Sequence, residues 1–299
     1  MNKNELIDKW LNNLYDNNVQ IPMWIRKNIK NNKLKELEIL INGSTKTGTS
    51  SLQLFFKKMS GLKVEKCHMM KDWLKIFNRN RKNKVAPPYE GFHINDFYKF
   101  LGCNNPDGMI IVEVVREPIE RLISIFFQNI EETFRHVNNE FNTYKKFEQY
   151  YLNNIDELVS KFNNGKLGLN LLLKFSFENW KIFGFDIYHQ PFDKLNTINC
   201  YNNNDKHYVV IKFPHIDDVL KSSSIINLYQ KYGKNIPKNI FVKNAGKDKE
   251  YKNLYTLFKK NYHCSNEQFN KIYEKYSKFV NLCFTDEEIN NRRERYVKD

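Results

Sequence analysis

Seven consecutive residues, Met109-Ile110-Ile111-Val112-Glu113-Val114-Val115, restrict the fold more than any other stretch of the chain. A strand with one face in water alternates apolar and polar side chains. This run does not alternate, which predicts a strand buried on both faces of a parallel sheet. Pro118 stands where a helix would begin, its missing N–H harmless in the first turn. Ile119, Leu122, Ile123, Phe126, Phe127 and Ile130 then recur at helical spacing. A buried strand feeding an amphipathic helix is half of a βαβ unit.

Other segments extend the alternation of strand and helix. Leu6, Ile7, Trp10, Leu11 and Leu14 predict an N-terminal helix over 4–15. Glu38–Ile41 reads as the first strand, and Leu52, Phe55, Phe56 and Met59 as one face of the helix after it. Leu62–Cys67 is a weaker strand, and Tyr208–Ile211 another buried one. Residues 131–180 and 250–282 read as mostly helical, and the lysine-rich Asn78–Lys84 as an exposed loop. No period of 20–50 residues repeats, which sets aside solenoids and propellers. The expectation is an α/β protein of one domain, a central parallel sheet flanked by helices. Its core spans 38–295, with an N-terminal helical extension over 1–36.

The formal net charge of +14 raises the question of a polyanionic partner. Only nine of the 48 basic residues are arginine, and the lysines sit among abundant Asn, Ile, Tyr and Phe. That composition fits an AT-rich genome, which spreads charge over a surface without selecting a partner, so no specific nucleic acid is expected. No stretch of eighteen uncharged apolar residues is present, which excludes a transmembrane helix. The N-terminus lacks the apolar core of a secretory signal, so a cytoplasmic location is expected. Cys67, Cys103, Cys200, Cys264 and Cys283 form no C-x-x-C pair and are odd in number. That pattern excludes a zinc ribbon and argues against a disulfide framework.

The most informative segment for chemistry is Ile39-Leu40-Ile41-Asn42-Gly43-Ser44-Thr45-Lys46-Thr47-Gly48-Thr49-Ser50. Two glycines with four residues between them, after a strand and before a helix, are the pattern of a phosphate loop whose backbone N–H groups face an anion. A nucleoside triphosphatase of the Walker A type places lysine directly after the second glycine. Here that position is Thr49, and the lysine lies inside the loop as Lys46. No acidic strand follows to hold magnesium. A lysine early in the loop suits the bridging oxygen of a 5′-phosphosulfate.

Thr45-Lys46-Thr47-Gly48-Thr49-Ser50 resembles the 5′-phosphosulfate loop of sulfotransferases that use 3′-phosphoadenosine 5′-phosphosulfate (PAPS), with Thr45 in place of the frequent proline. Val115-Arg116-Glu117-Pro118-Ile119-Glu120-Arg121-Leu122-Ile123-Ser124 resembles the same family's 3′-phosphate signature, which implies that Arg116 and Ser124 bind that phosphate. The chemistry agrees. Arg116 leaves the end of a buried strand, where ligands collect in open α/β sheets, and a guanidinium grips phosphate through two parallel hydrogen bonds. Ser124 lies off the apolar stripe. An ion pair with Glu113 or Glu120 is the alternative for Arg116, and a plain surface position for Ser124.

More loosely, Phe183–Tyr188 with Pro191–Asp193, and the stretch Val242–Glu288, are similar to bacterial sulfotransferase-like proteins of capsular polysaccharide synthesis. The resemblance covers about 38–295. It implies a P-loop NTPase-like sulfotransferase fold, PAPS as co-substrate without a metal, and an acceptor on a glycan or small molecule. Lys243 and Asn244 correspond to a late basic loop that closes over the nucleotide in that family, and a solvated turn is the alternative.

In such a reaction Lys46 stabilises charge on the departing phosphate oxygen, and a general base takes the acceptor's proton. His68, after the second strand, and His93 are the first and second choices for that base. Glu113 is the third, since a carboxylate inside an apolar strand needs a reason. The remaining histidines show no spacing for metal or triad chemistry and read as structural. Two other functions fit parts of the pattern: a kinase or NTPase with a displaced lysine, and a non-enzymatic protein that binds polyanions through its lysines. Segments 78–92 and 131–165 are expected to shape the acceptor pocket. Oligomeric state leaves no sequence signal.

Overall fold

The structure, a computed structural model, describes residues 1–16, 29, 37–42, 48–59, 61–67, 88–92, 96, 100, 108–128, 130, 141, 143–164, 185–203, 206–240 and 251–298. The chain divides into two compact units. The first is Met1–Val115 with Phe175–Phe192 and Asn196–Phe241, and the second is Arg116–Lys174 with Asp193–Leu195 and Val242–Asp299. Among the described residues the helices in chain order are α1 Lys3–Asp16, α2 Thr49–Leu54, α3 Pro118–Gln128, α4 Tyr144–Asn153, α5 Ile155–Asn163, α6 Ser223–Lys231, α7 Lys252–Asn261, α8 Asn266–Lys275, α9 Ser277–Cys283 and α10 Asp286–Tyr296.

The first unit holds the sheet. Its strands are β1 Ile39–Asn42, β2 Val64–Cys67, β3 Met109–Val115, β4 Ile198–Asn203 and β5 Lys206–Lys212, in the spatial order β2-β1-β3-β5-β4. The pairs β2/β1, β1/β3 and β3/β5 are parallel, and β4 runs antiparallel to β5 at the edge. All seven residues of β3 are buried, as its unbroken apolar character predicts. The order contains a switch point: from β1 the chain goes to β2 on one side, and it later enters β3 on the other. In open α/β sheets the carboxyl ends of strands at such a point form the ligand crevice.

On one face, Ile39, Ile41, Val112, Val114 and Ile211 join Leu52 of α2 and Ile225 and Leu228 of α6 in a single buried cluster. Each such side chain removed from water contributes about 1.5–3 kcal/mol. The helix α2 is short, and its chain continues as a π-helical turn over Phe55–Met59. The N-terminal helix runs one residue further at each end than its periodicity predicts. Asn2 Oδ1 accepts from the Glu5 N–H, and the Glu5 carboxylate accepts from the Asn2 N–H in return. That helix buries Ile7, Trp10, Leu11 and Leu14, while Leu6 is half-buried.

The described residues of the second unit are mostly helical. In α3, Ile119, Ile123, Phe126 and Phe127 are buried and Leu122 is half-buried. Phe126 meets Phe162 of α5 at 5.3 Å and Phe258 of α7 at 5.7 Å between ring centroids, and Phe127 meets Tyr255 of α7 at 5.2 Å. The first and last of these pairs are edge-on, and such pairs add about 0.5–1.5 kcal/mol each to the area they bury. Capping boxes start α8 (Ser265 with Gln268) and α10 (Thr285 with Glu288). Within the stretches expected to be helical, α4 and α5 lie in 131–180, and α7, α8 and all but the last residue of α9 in 250–282. Among the described residues no helix is long and apolar enough to cross a membrane.

Candidate functional site

The two informative segments follow β1 and β3, strands that are adjacent and parallel. Of the first, Gly48, Thr49 and Ser50 are described. Thr45, Lys46 and Thr47 lie outside the described residues, as do His68, His93, Lys243 and Asn244. Gly48 has φ +90, the left-handed region that glycine enters without a Cβ penalty. Its carbonyl accepts from the N–H groups of Ser51 at 3.0 Å and Leu52 at 3.3 Å, which opens α2. A Cβ placed there meets Ile216 at an ordinary 3.5 Å, so backbone conformation and not space calls for glycine. Thr49 is buried and Ser50 exposed, so of these two hydroxyl residues Ser50 is the more accessible.

At the end of β1, immediately before this segment, stands Asn42, whose side chain is 0% exposed. Neither its Nδ2 nor its Oδ1 has a hydrogen-bond partner among the described residues. Leaving a buried polar group unsatisfied costs about 1–3 kcal/mol, and native structures contain few such groups. Sequence reasoning gave Asn42 no role of its own. The signal that marks it is an amide closing an otherwise apolar strand.

The second segment is described in full. Glu117 precedes Pro118 and acts as the N-cap of α3. Its carboxylate accepts from the N–H of Ile119 at 2.8 Å and of Glu120 at 2.7 Å, and from the Tyr273 hydroxyl at 2.7 Å. Burial pushes the Glu117 pKa above the usual glutamate value, against the pull of these three hydrogen bonds and with a small push from the Glu120 charge. Burial and the Glu117 charge likewise raise the Tyr273 phenol.

Arg116 is buried, its Nε 3.6 Å from Glu120 Oε2, so the ion pair weighed as its alternative role is present. Glu120 also receives Arg292 at 3.2 Å and Arg295 at 3.6 Å, both from α10. Burial alone would lower the Arg292 pKa, but the Glu120 and Glu117 carboxylates outweigh it and raise the pKa. Three guanidiniums thus gather on the Glu120 carboxylate, beside Glu117 at the start of the same helix. Ser124, two turns into α3, is half-buried, with Oγ 3.4 Å from the Tyr255 hydroxyl. Sequence reasoning missed Glu117, Arg292 and Arg295. A Glu-Pro step opening a helix marks Glu117, whereas the two arginines join it only through folding.

Glu113 is buried on β3. Of the remaining histidines, His189 pairs with Asp186 at 3.2 Å, His207 with Asn202 at 2.7 Å, and His263 with the Asn261 carbonyl at 2.8 Å, local contacts of a structural kind. Among the described residues no group of three or more His, Cys, Asp or Glu side chains is placed to hold a metal. No family model matches the chain, and neither a curated protein nor a solved structure matches it.

Proposed function

We propose that the protein is a PAPS-dependent sulfotransferase with a P-loop NTPase-like sulfotransferase fold, acting on a hydroxyl or amine of a glycan or small molecule. The observation that carries this reading is topological. The two phosphate-signature segments follow β1 and β3, neighbouring parallel strands on either side of the switch point of the sheet. The 3′-phosphate role asks Arg116, which the structure pairs with Glu120, to bind the phosphate bidentately as well.

In the proposed reaction the sulfuryl group leaves the 5′-phosphate as the acceptor oxygen attacks in line. The sulfur–oxygen bond to the phosphate breaks and one to the acceptor forms. The acceptor's proton passes to a base, and the products are a sulfate ester and 3′-phosphoadenosine 5′-phosphate (PAP). Lys46 offsets charge on the departing phosphate oxygen, and Thr45, Thr47, Gly48, Thr49 and Ser50 hold the 5′ end. His68, His93 or Glu113 serves as the base, and Lys243 with Asn244 covers the nucleotide. No step calls for a metal.

Calorimetric and thermal-shift titration with PAP, beside magnesium-ATP, tests the reading on wild type, Arg116→Ala and Ser124→Ala. A ligand that binds only the folded state raises its stability by mass action. PAP should stabilise wild type without magnesium, and both variants should weaken that response. A response to magnesium-ATP alone would transfer the protein to the kinases.

A further inference from the structure

The two faces of the sheet differ at their carboxyl end. Ile41, Val112, Val114 and Ile211 belong to the packed apolar cluster. The opposite face carries Leu40 and Asn42 on β1, and Ile111 and Glu113 on β3, because alternate residues of a strand share a face. Leu40 pairs with Ile111 and Ile41 with Val112, and continuing that register brings Asn42 alongside Glu113. Lys212 of β5, also buried, pairs with Val115 on the same face. The buried polar side chains Asn42, Glu113 and Lys212 therefore stand at the carboxyl end of one face, beside the switch point between β1 and β3.

We infer that Asn42 is a ligand residue, whose buried side-chain amide donates to a phosphoryl or sulfuryl oxygen of a nucleotide seated at the carboxyl end of β1. Three observations support this. Both polar ends of the amide lack a hydrogen-bond partner among the described residues, in a side chain 0% exposed. A leucine has nearly the same shape and would pack there without that cost, so the amide needs a use beyond packing. The position is the last of a strand at the edge where sheets of this topology take ligands. The Nδ2 group offers two hydrogens to a ligand oxygen, and Oδ1 remains for a hydroxyl of the ligand.

The identity of the nucleotide rests on the sulfotransferase reading, whereas the role of Asn42 does not, and one experiment separates them. Wild type, Asn42→Leu, Asn42→Asp and Asn42→Ala are melted without ligand and titrated with PAP and with magnesium-ATP. Asn42→Leu should melt about 2–4 °C higher than wild type, since it removes an unsatisfied group. It should also bind the nucleotide about tenfold or more weakly, the worth of one hydrogen bond to a charged group. Asn42→Asp should lose at least as much affinity, having exchanged a donor for a charge. Asn42→Ala carries the binding test if Asn42→Leu does not fold. If Asn42→Leu melts lower and binds like wild type, Asn42 is structural and the proposal fails. If wild type takes magnesium-ATP in place of PAP, the sulfotransferase reading fails and Asn42 is judged on the ATP affinities. Binding of neither nucleotide overturns both.

Discussion

The ends of β1 and β3 carry the two informative segments and are built in opposite ways. After β3 the protein supplies its own partners. The Glu117 carboxylate receives two backbone N–H groups and the Tyr273 hydroxyl, and Glu120 gathers Arg116, Arg292 and Arg295. At the end of β1 a buried amide has no such partner among the described residues, and Gly48 opens α2 with no side-chain cap. The contrast separates two ways of preparing a site. An arginine must be held against its own flexibility, and carboxylates do that. A neutral amide on a packed strand is already held, and its hydrogen bonds can be left to a ligand.

The largest expected effect comes from breaking the end of β3. Glu117→Ala removes the acceptor for two N–H groups at the start of α3 and strands the Tyr273 hydroxyl, and should cost about 3–4 kcal/mol in urea unfolding. A loss below about 1 kcal/mol would show that this end is not held by its carboxylate. At the end of β1, Gly48→Ala should cost about 1–2 kcal/mol, because φ +90 is unfavourable for a residue with a Cβ while the neighbouring space is adequate. An unchanged stability would mean that the turn into α2 relaxes freely.

The smallest effect is a slope. The folded pKa of Glu117 lies above its unfolded value, so within a window above the usual glutamate range the folded state keeps a proton that the unfolded chain has lost. The contribution of this group is fully present below the unfolded pKa, and it is lost as pH rises through the folded one. Glu117→Gln should flatten this fall in stability across the acidic range. Parallel slopes for wild type and variant would show that its hydrogen bonds cancel the effect of burial.

Much of the first unit was legible in the sequence. The run Met109–Val115 is a strand with the predicted limits and burial, and Tyr208–Ile211 lies inside β5. The strand β4 was not foreseen. Its segment Ile198-Asn199-Cys200-Tyr201-Asn202-Asn203 has weak strand propensity, and it pairs only because β5 offers an open edge. In the site, the positions of Arg116 and Ser124 around α3 followed from Pro118 and the apolar stripe. The convergence of Arg292 on Glu120 did not, because 172 residues separate the pair.

Local pattern determined which segments are strands and helices, and where a glycine or a proline must stand. Backbone conformation, side-chain branching and apolar periodicity act over a few residues, so they are written in the order of the chain. Tertiary structure alone decided that β1 and β3 are neighbours, that Glu120 gathers guanidiniums from a distant helix, and that Asn42 is buried without a partner among the described residues. Those outcomes depend on which surfaces meet, and hydrogen bonds and charges far apart in sequence gain their strength only when packing removes the water between them.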